Sequence, residues 1–298
     1  MNSKNSMKGN TMPLAETGFT ALRVSRHGAV ATVTLDRPPV NVLDAAMVRD
    51  LFRVTRTAAD DQDLRVLVLE SADPEFFSAH ADLRWMFEPE ELVALADDEG
   101  DPGLNPLQQL HERFRTLPQI TVAKLRGRLR AGGVELAMAA DMRFAARDET
   151  WLAQPETRMG IFPGGGGTQY LTRLVGRARA LEIVLGAELF DTDRAEQYGW
   201  INRAVEAGEL DAFVDALAHR IAALPPGVAE AAKEAVDAAE ASGPVPDLTE
   251  EARAHARVYP APRAVVERME RALAAGAQTR DGELALEDLL DRVPYRGL

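Results

Sequence analysis

Two glutamates stand where their neighbours could change what a carboxylate does. Glu135 interrupts the apolar run Val134, Leu136, Ala137, Met138 and Ala139. A carboxylate taken out of water among such residues holds its proton more tightly. The local pattern alone favours a plainer placement, an exposed position near the start of a helix, where the dipole favours negative charge. Glu156 follows Gln154 and Pro155 in what reads as a loop leaving a strand, where a general acid or base can be held, although an isolated glutamate there is more often structural. Gly132 and Gly133 lie just ahead of the helical run, and a glycine pair at a helix start lets a ligand approach N–H groups that lack internal partners. In such settings a carboxylate can act as a general acid or base, and the exposed backbone donors can face a ligand.

Other chemistries lack their residues. The run Gly164 to Gly167 has neither the lysine nor the spacing of a P-loop, and it does not follow the strand, turn and helix of a dinucleotide-binding fold. It reads as a mobile or close-packed turn before a helix at Gln169. Lys124, Arg126, Arg128 and Arg130 alternate and could share one face, either as a solvated edge or as a cradle for a nucleotide-like phosphate. His27 and His255 have no supporting neighbours, no cluster suggests a metal, and the absence of cysteine excludes disulfides, thiolate nucleophiles and iron–sulfur ligation.

These groups must be positioned by a sizeable core. The chain has 298 residues, of which 46% are hydrophobic and 27% charged, and its net charge is -13. That balance argues against nucleic acid as a partner. No signal-peptide core and no run of roughly 18 apolar residues is present, so a cytoplasmic protein without membrane spans is expected. Residues 1–17 read as a flexible leader, 18–226 as an α/β body and 227–298 as a helical region and tail.

Within the body, 19–25 and 29–35 alternate as paired strands around His27 and Gly28, and Asp44 can cap a helix carrying Met47, Val48, Leu51 and Val54. Residues 66–69 form an apolar run suited to a sheet interior. Helices are expected at 107–117 and 131–140, strands at 121–125 and 142–145, and one or two helices over 171–185 around Gly176. Phe213, Val214, Leu217, Ile221 and Leu224 mark one face of a further helix, stopped by Pro225 and Pro226. Later helices are expected at 263–275 and 283–290, where Leu286, Leu289 and Leu290 could dock on the body or a neighbouring subunit. Segment 88–101 holds seven acidic residues and no basic one, which favours an exposed insertion or a mobile lid.

Three stretches in order, FFSAHADL at 76–83, GRLRAGGVELAMAAD at 127–141 and QPETRMGIFPGGGGTQYLTRLVG at 154–176, resemble the enoyl-CoA hydratase/isomerase, or crotonase, superfamily. The resemblance covers 19–224 and continues less distinctly into the helical tail. It implies an α/β fold of the crotonase type, a spiral of repeated ββα units with a C-terminal helical region that supports a homotrimer or a dimer of trimers. The implied substrate is an acyl-CoA thioester, with coenzyme A entering as part of the substrate and no separate cofactor. By the same resemblance, the backbone N–H groups of Ala81 and Gly132 hold the thioester oxygen, and Glu135 and Glu156 match the two catalytic glutamates of the hydratases. This implies reversible syn addition of water to a trans-2-enoyl-CoA, giving a 3-hydroxyacyl-CoA. Isomerase, hydrolase and retro-aldol or Claisen reactions through the same enolate are the neighbouring alternatives, and a binding scaffold is a further one.

The chain departs from the family pattern at His80, where glycine is usual before the first oxyanion alanine. His80 could pack or point outward, contact substrate, or transfer a proton. Asp82 reads as a support for the oxyanion loop. Trp85, Met86 and Phe87 offer apolar surface for an acyl group or for the core, and Ile161 and Phe162 suit a pocket wall. His80, Ala81, Asp82, Trp85, Met86, Gly132, Ile161 and Phe162 make up the expected substrate-binding set.

Overall fold

The structure, a computed structural model, describes residues 14, 18–241, 263–276, 289 and 292–294. The chain divides into two compact units, Met1–Ala222 and Ala223–Leu298.

In the first unit, strands β1 (Leu22–His27) and β2 (Val30–Leu35) pair antiparallel and lead into helix α1 (Ala45–Asp60). The Asp44 side chain caps α1 by accepting from the Met47 N–H at 3.0 Å. Strands β3 (Val66–Ser71) and β4 (Phe76–Ser78) precede helices α2 (Pro89–Val93) and α3 (Pro106–Arg115). Strand β5 (Ile120–Arg130) runs into α4 (Gly132–Met138), and β6 (Met142–Ala153) leads to α5 (Gly167–Val175), α6 (Arg177–Gly186) and α7 (Thr192–Tyr198). Strand β7 (Arg203–Val205) and helix α8 (Leu210–Ala222) complete the unit.

The main sheet runs β1-β2-β3-β5-β6-β7, parallel from β2 onward. The long strands β5 and β6 each contribute twice. Their first halves pair in this sheet, a register shift falls between Leu125 and Gly127, and the second halves then pair Gly127 with Thr150 through Arg130 with Ala153. Strand β4 joins that second ladder on β5, and a parallel bridge between Leu43 and Ala81 lies just beyond β4. Counting each long strand as two gives strand, strand, helix four times over, the expected ββα repetition. The expected strands at 121–125 and 142–145 cover only the first halves of β5 and β6; in the second halves Arg126, Arg128 and Arg130, and Arg147, Asp148 and Glu149, interrupt the apolar pattern.

Both faces of the sheet are covered, so β3 reads as uninterrupted apolar residues. Leu67 and Leu69 face a core shared with α1, α3 and α4, whereas Val66 and Val68 face Leu210, Val214 and Ala218 of α8.

In the second unit, α9 (Val228–Ala241) and α10 (Arg263–Ala274) are helical as expected. Leu289 packs with Ala272 and Val293, while Leu286, Leu290 and His255 lie outside the described residues. No helix among the described residues is long and apolar enough to cross a membrane.

Leu14, within the expected leader, is fully buried in the main core. One expectation needs correction. The acidic segment is solvated at Glu88, Glu90, Glu91, Asp98, Glu99 and Asp101, but Leu95 and Asp97 are buried. The Asp97 carboxylate is wholly enclosed and paired with Arg56 at 2.7 Å and with Arg113. Charge counting missed this because both cations come from other elements, α1 and α3.

Candidate active site

The end of β5 turns into α4 through Ala131, held at φ 48° and ψ -125°, a conformation costly for any residue with a Cβ. The turn puts Gly132 at the first helical position, where the N–H has no intrahelical acceptor. In the Leu43–Ala81 bridge, Leu43 donates to the His80 carbonyl at 3.0 Å and accepts from the Asp82 N–H at 3.2 Å. The intervening Ala81 N–H therefore points to the other side of the chain. Among the described residues, neither the Ala81 N–H nor the Gly132 N–H has a protein acceptor. The two backbones are neighbours: a Cβ on Gly132 would lie 3.4 Å from the Ala81 nitrogen and 3.1 Å from its methyl.

One turn along α4, Glu135 is only 2% exposed, which overturns the exposed placement that its local pattern favoured. One carboxylate oxygen, Oε1, accepts from the Gly165 N–H at 2.8 Å and the Gly167 N–H at 2.9 Å. The glycine run is thus a close-packed turn wrapped on a carboxylate, with no room for side chains on its inner side. A Cβ on Gly167 would meet the Gln154 amide at 2.6 Å and Glu135 Oε1 at 2.7 Å. Burial pushes the Glu135 pKa up against the lowering effect of the two glycine donors.

Glu156 opens a 3₁₀ turn (Glu156–Met159) and is 5% exposed. The Gln154 amide, with its nitrogen toward Glu156, donates to Oε1 at 3.0 Å and Oε2 at 3.1 Å. Burial first, and then the negative charge of Glu135, push Glu156 up to about 7. Raised proton affinity suits both carboxylates to proton exchange, and Glu156 can give or take a proton near neutrality.

Other expected residues separate. Asp82 accepts from the Arg84 N–H at 2.9 Å and caps the 3₁₀ turn Leu83–Met86, in keeping with a structural role. The hydrogen bonds from Arg84 hold its carboxyl below the usual range. The His80 ring Nδ1 lies 2.8 Å from the Ala81 carbonyl, against the chain that carries the Ala81 N–H. Trp85 is buried in the core rather than open to a ligand, whereas Met86, Ile161 and Phe162 are exposed. Lys124 pairs with Glu70 and Asp211, Arg126 pairs with Glu149 and Asp211, and Arg128 lies over Trp151. Three of the four alternating cations, Lys124, Arg126 and Arg128, are therefore engaged by acids or an aromatic ring rather than left free for a phosphate. Among the described residues no group of three or more His, Asp or Glu side chains could hold a metal ion.

Sequence reasoning passed over Gln154, Asn105 and His111. His111 is fully buried, and its Nδ1 lies 2.6 Å from the Gly165 carbonyl. The signal was present: His111 shares the buried face of α3 with Leu107, Leu110 and Phe114, so one polar ring interrupts an apolar stripe of helical period.

Comparison with known proteins places the chain among relatives of one family. The family model for enoyl-CoA hydratase/isomerase matches residues 25–270. A carnitinyl-CoA dehydratase from Escherichia coli is 32% identical over 214 residues, covering 72% of this chain and 79% of that one. A short-chain-enoyl-CoA hydratase from Clostridium acetobutylicum is 30% identical over 215 residues, covering 72% and 80%. The crystal structure of a candidate enoyl-CoA hydratase from Streptomyces avermitilis is 47% identical and superposes with a TM-score of 0.70, covering 93% of this chain and 99% of that one. With a family model spanning most of its length and relatives of this identity over more than two thirds of it, the chain belongs to the enoyl-CoA hydratase/isomerase, or crotonase, superfamily.

Proposed function

We propose that the protein is an enoyl-CoA hydratase, adding water reversibly and syn across a trans-2-enoyl-CoA to give a 3-hydroxyacyl-CoA. The observation that carries this reading is the pair of buried carboxylates, Glu135 and Glu156, both with raised proton affinity, with Glu135 one turn beyond Gly132, whose N–H, like that of Ala81, has no protein acceptor among the described residues.

The thioester oxygen would accept from the N–H groups of Ala81 and Gly132. Glu135 takes a proton from water as the water oxygen bonds to C3. The C2–C3 π electrons move toward the thioester, and the negative charge grows on the oxygen where the two donors already point. Glu156 then delivers a proton to C2, and the proton held by Glu135 is exchanged back through Glu156 or solvent, so the net addition is one water. A pKa near 7 leaves Glu156 partly protonated at neutral pH, able to give a proton in one direction and take it in the other. Two carboxylates favour hydration over a one-carboxylate isomerisation. The exposed Met86, Ile161 and Phe162, with His80 beside the oxyanion loop, are the side chains we assign to the acyl and thioester surroundings. Assembly as a homotrimer or a dimer of trimers and a cytoplasmic setting belong to the same proposal.

Mass-resolved turnover of short, long, branched and aromatic trans-2-enoyl-CoAs tests it, following added water and free CoA separately. A product one water heavier, absent with E135Q and E156Q, supports the reading. Free CoA or a shifted double bond without added water overturns it.

A further inference from the structure

Helix α3 holds the inner turn of the site by two side chains that no proton-transfer step uses. At its start, Asn105 does two jobs. Its Oδ1 accepts from the Gln108 N–H at 3.0 Å, completing a capping box, and its Nδ2 donates to the Gly164 carbonyl at 2.8 Å. Nearly two turns further on, the buried His111 lies with Nδ1 2.6 Å from the Gly165 carbonyl. Burial lowers the His111 pKa to about 4, so the ring is neutral near pH 7, and with a carbonyl as partner its Nδ1 must carry the proton.

The peptide linking Gly164 to Gly165 has its carbonyl bonded to Asn105 and its N–H bonded to Glu135 Oε1. A donor on a peptide carbonyl polarises the N–H at the other end, so the two bonds strengthen each other. The next peptide is fixed at its carbonyl by His111, and the Gly167 N–H, two residues on, completes the pair on the same carboxylate oxygen. The same turn is closed from α5, where the Tyr170 hydroxyl donates to Glu112 of α3 at 2.6 Å. Without α3, a run of four glycines has little of its own to keep two N–H groups aimed at one oxygen.

We propose that Asn105 and His111 are positioning residues for Glu135: they fix the glycine turn so that the Gly165 and Gly167 N–H groups hold its carboxylate in one orientation and set its ionisation. The effect on turnover rests on the hydratase reading above, whereas the effect on Glu135 itself does not. The titratable groups near this carboxylate are Glu156, Tyr170 and, across Gly165, His111, with Glu112 behind Tyr170. None is altered in N105S, which keeps a capping hydroxyl but is too short to reach Gly164.

The experiment follows the Glu135 carboxyl carbon by NMR during a pH titration of 13C-labelled protein, assigned by its loss in E135Q. Wild type, N105S, H111N and H111L are compared, with hydration kinetics measured on the same samples. Asparagine at 111 can supply a donor near the position of Nδ1, and leucine cannot. Glu135 is expected to titrate at higher pH in N105S and H111L, with kcat reduced about tenfold and KM within about twofold, because a small misplacement of a reacting group acts on the chemical step. H111N is expected to recover most of both losses. The proposal is overturned if N105S leaves the Glu135 titration unchanged, or if H111N is as impaired as H111L. Should no variant, wild type included, hydrate any enoyl-CoA, the hydratase reading fails while the titration still decides the role of Asn105 and His111.

Discussion

Gly132 lies against Ala81 so closely that a methyl group on the glycine would sit 3.1 Å from the alanine Cβ and 3.3 Å from Leu43 Cδ1. The two backbone donors assigned to the thioester oxygen are therefore spaced by direct contact. G132A leaves its own N–H in place but shifts Ala81 by a few tenths of an ångström. The expected result is a ten- to hundredfold fall in kcat for hydration with an unchanged circular dichroism spectrum, since donors misaligned with a developing charge lose much of their effect. Wild-type turnover in G132A would remove Ala81 and Gly132 from the mechanism.

Substituting either buried carboxylate should be costly to turnover and mild for the fold. E135Q keeps an oxygen that can accept from Gly165 and Gly167, and E156Q keeps the shape beside Gln154. Each should lower the hydration rate by about 10² to 10⁴, the range for a positioned general acid or base. Steady-state kinetics beside thermal melts separates lost chemistry from lost structure.

Glu156 also links stability to pH. It holds its proton up to about pH 7 in the folded chain but releases it near 4.5 when unfolded. Between those values the native state binds more protons than the unfolded state, so this contribution to stability declines as pH rises from about 4.5 through 7. Glu135 is shifted in the same direction and adds to the trend. E156Q removes one of the two ionisations. Relative to wild type it should gain up to about 3 kcal/mol between pH 5 and pH 8, read from denaturant unfolding at both values. A wild-type-minus-variant difference independent of pH would contradict the assignment.

Asp97 ties the acidic segment to the body. Burial acts to raise its pKa, but hydrogen bonds from Arg113 and Arg56 outweigh that and hold it below the usual value of 3.8. Its contribution is therefore complete at neutral pH and is lost only as pH falls below about 3.8 toward the folded-state value. Gln109 reinforces the attachment: Oε1 accepts from the Asp97 N–H at 2.8 Å and Nε2 donates to the Asp101 carbonyl at 2.9 Å. D97A should cost about 2 to 3 kcal/mol, less than a fully buried pair because both arginines reach solvent. It should also make 88–101 the first site of limited proteolysis.

The legible parts of the sequence were those governed by short periods and local chemistry. Asp44 capping α1, the apolar run of β3 and the break between α5 and α6 at Gly176 all follow from neighbours within a few residues. Of the candidate site, what was legible is local placement, as with Gly132 at the start of α4. What escaped depended on partners far along the chain. Glu135 looked exposed because its two donors, Gly165 and Gly167, lie 30 and 32 residues away. Asp97 looked solvated because Arg56 is 41 residues earlier. Short strands such as β4, three residues long, carry too little pattern to be read without the strand they join.

The four consecutive glycines of 164–167 have unequal tolerance for change. A methyl group on Gly164 would find its nearest neighbour at 4.0 Å, in open contact with Phe162. At Gly165 it would strike Glu135, at Gly166 it would lie 2.5 Å from the Tyr170 ring in a backbone with φ of 108°, and at Gly167 it would press on Gln154 and Glu135. In a library of single substitutions selected for turnover, the first letter of this run should drift freely while the next three stay fixed. What looks like a low-information repeat is one neutral position followed by a three-letter word.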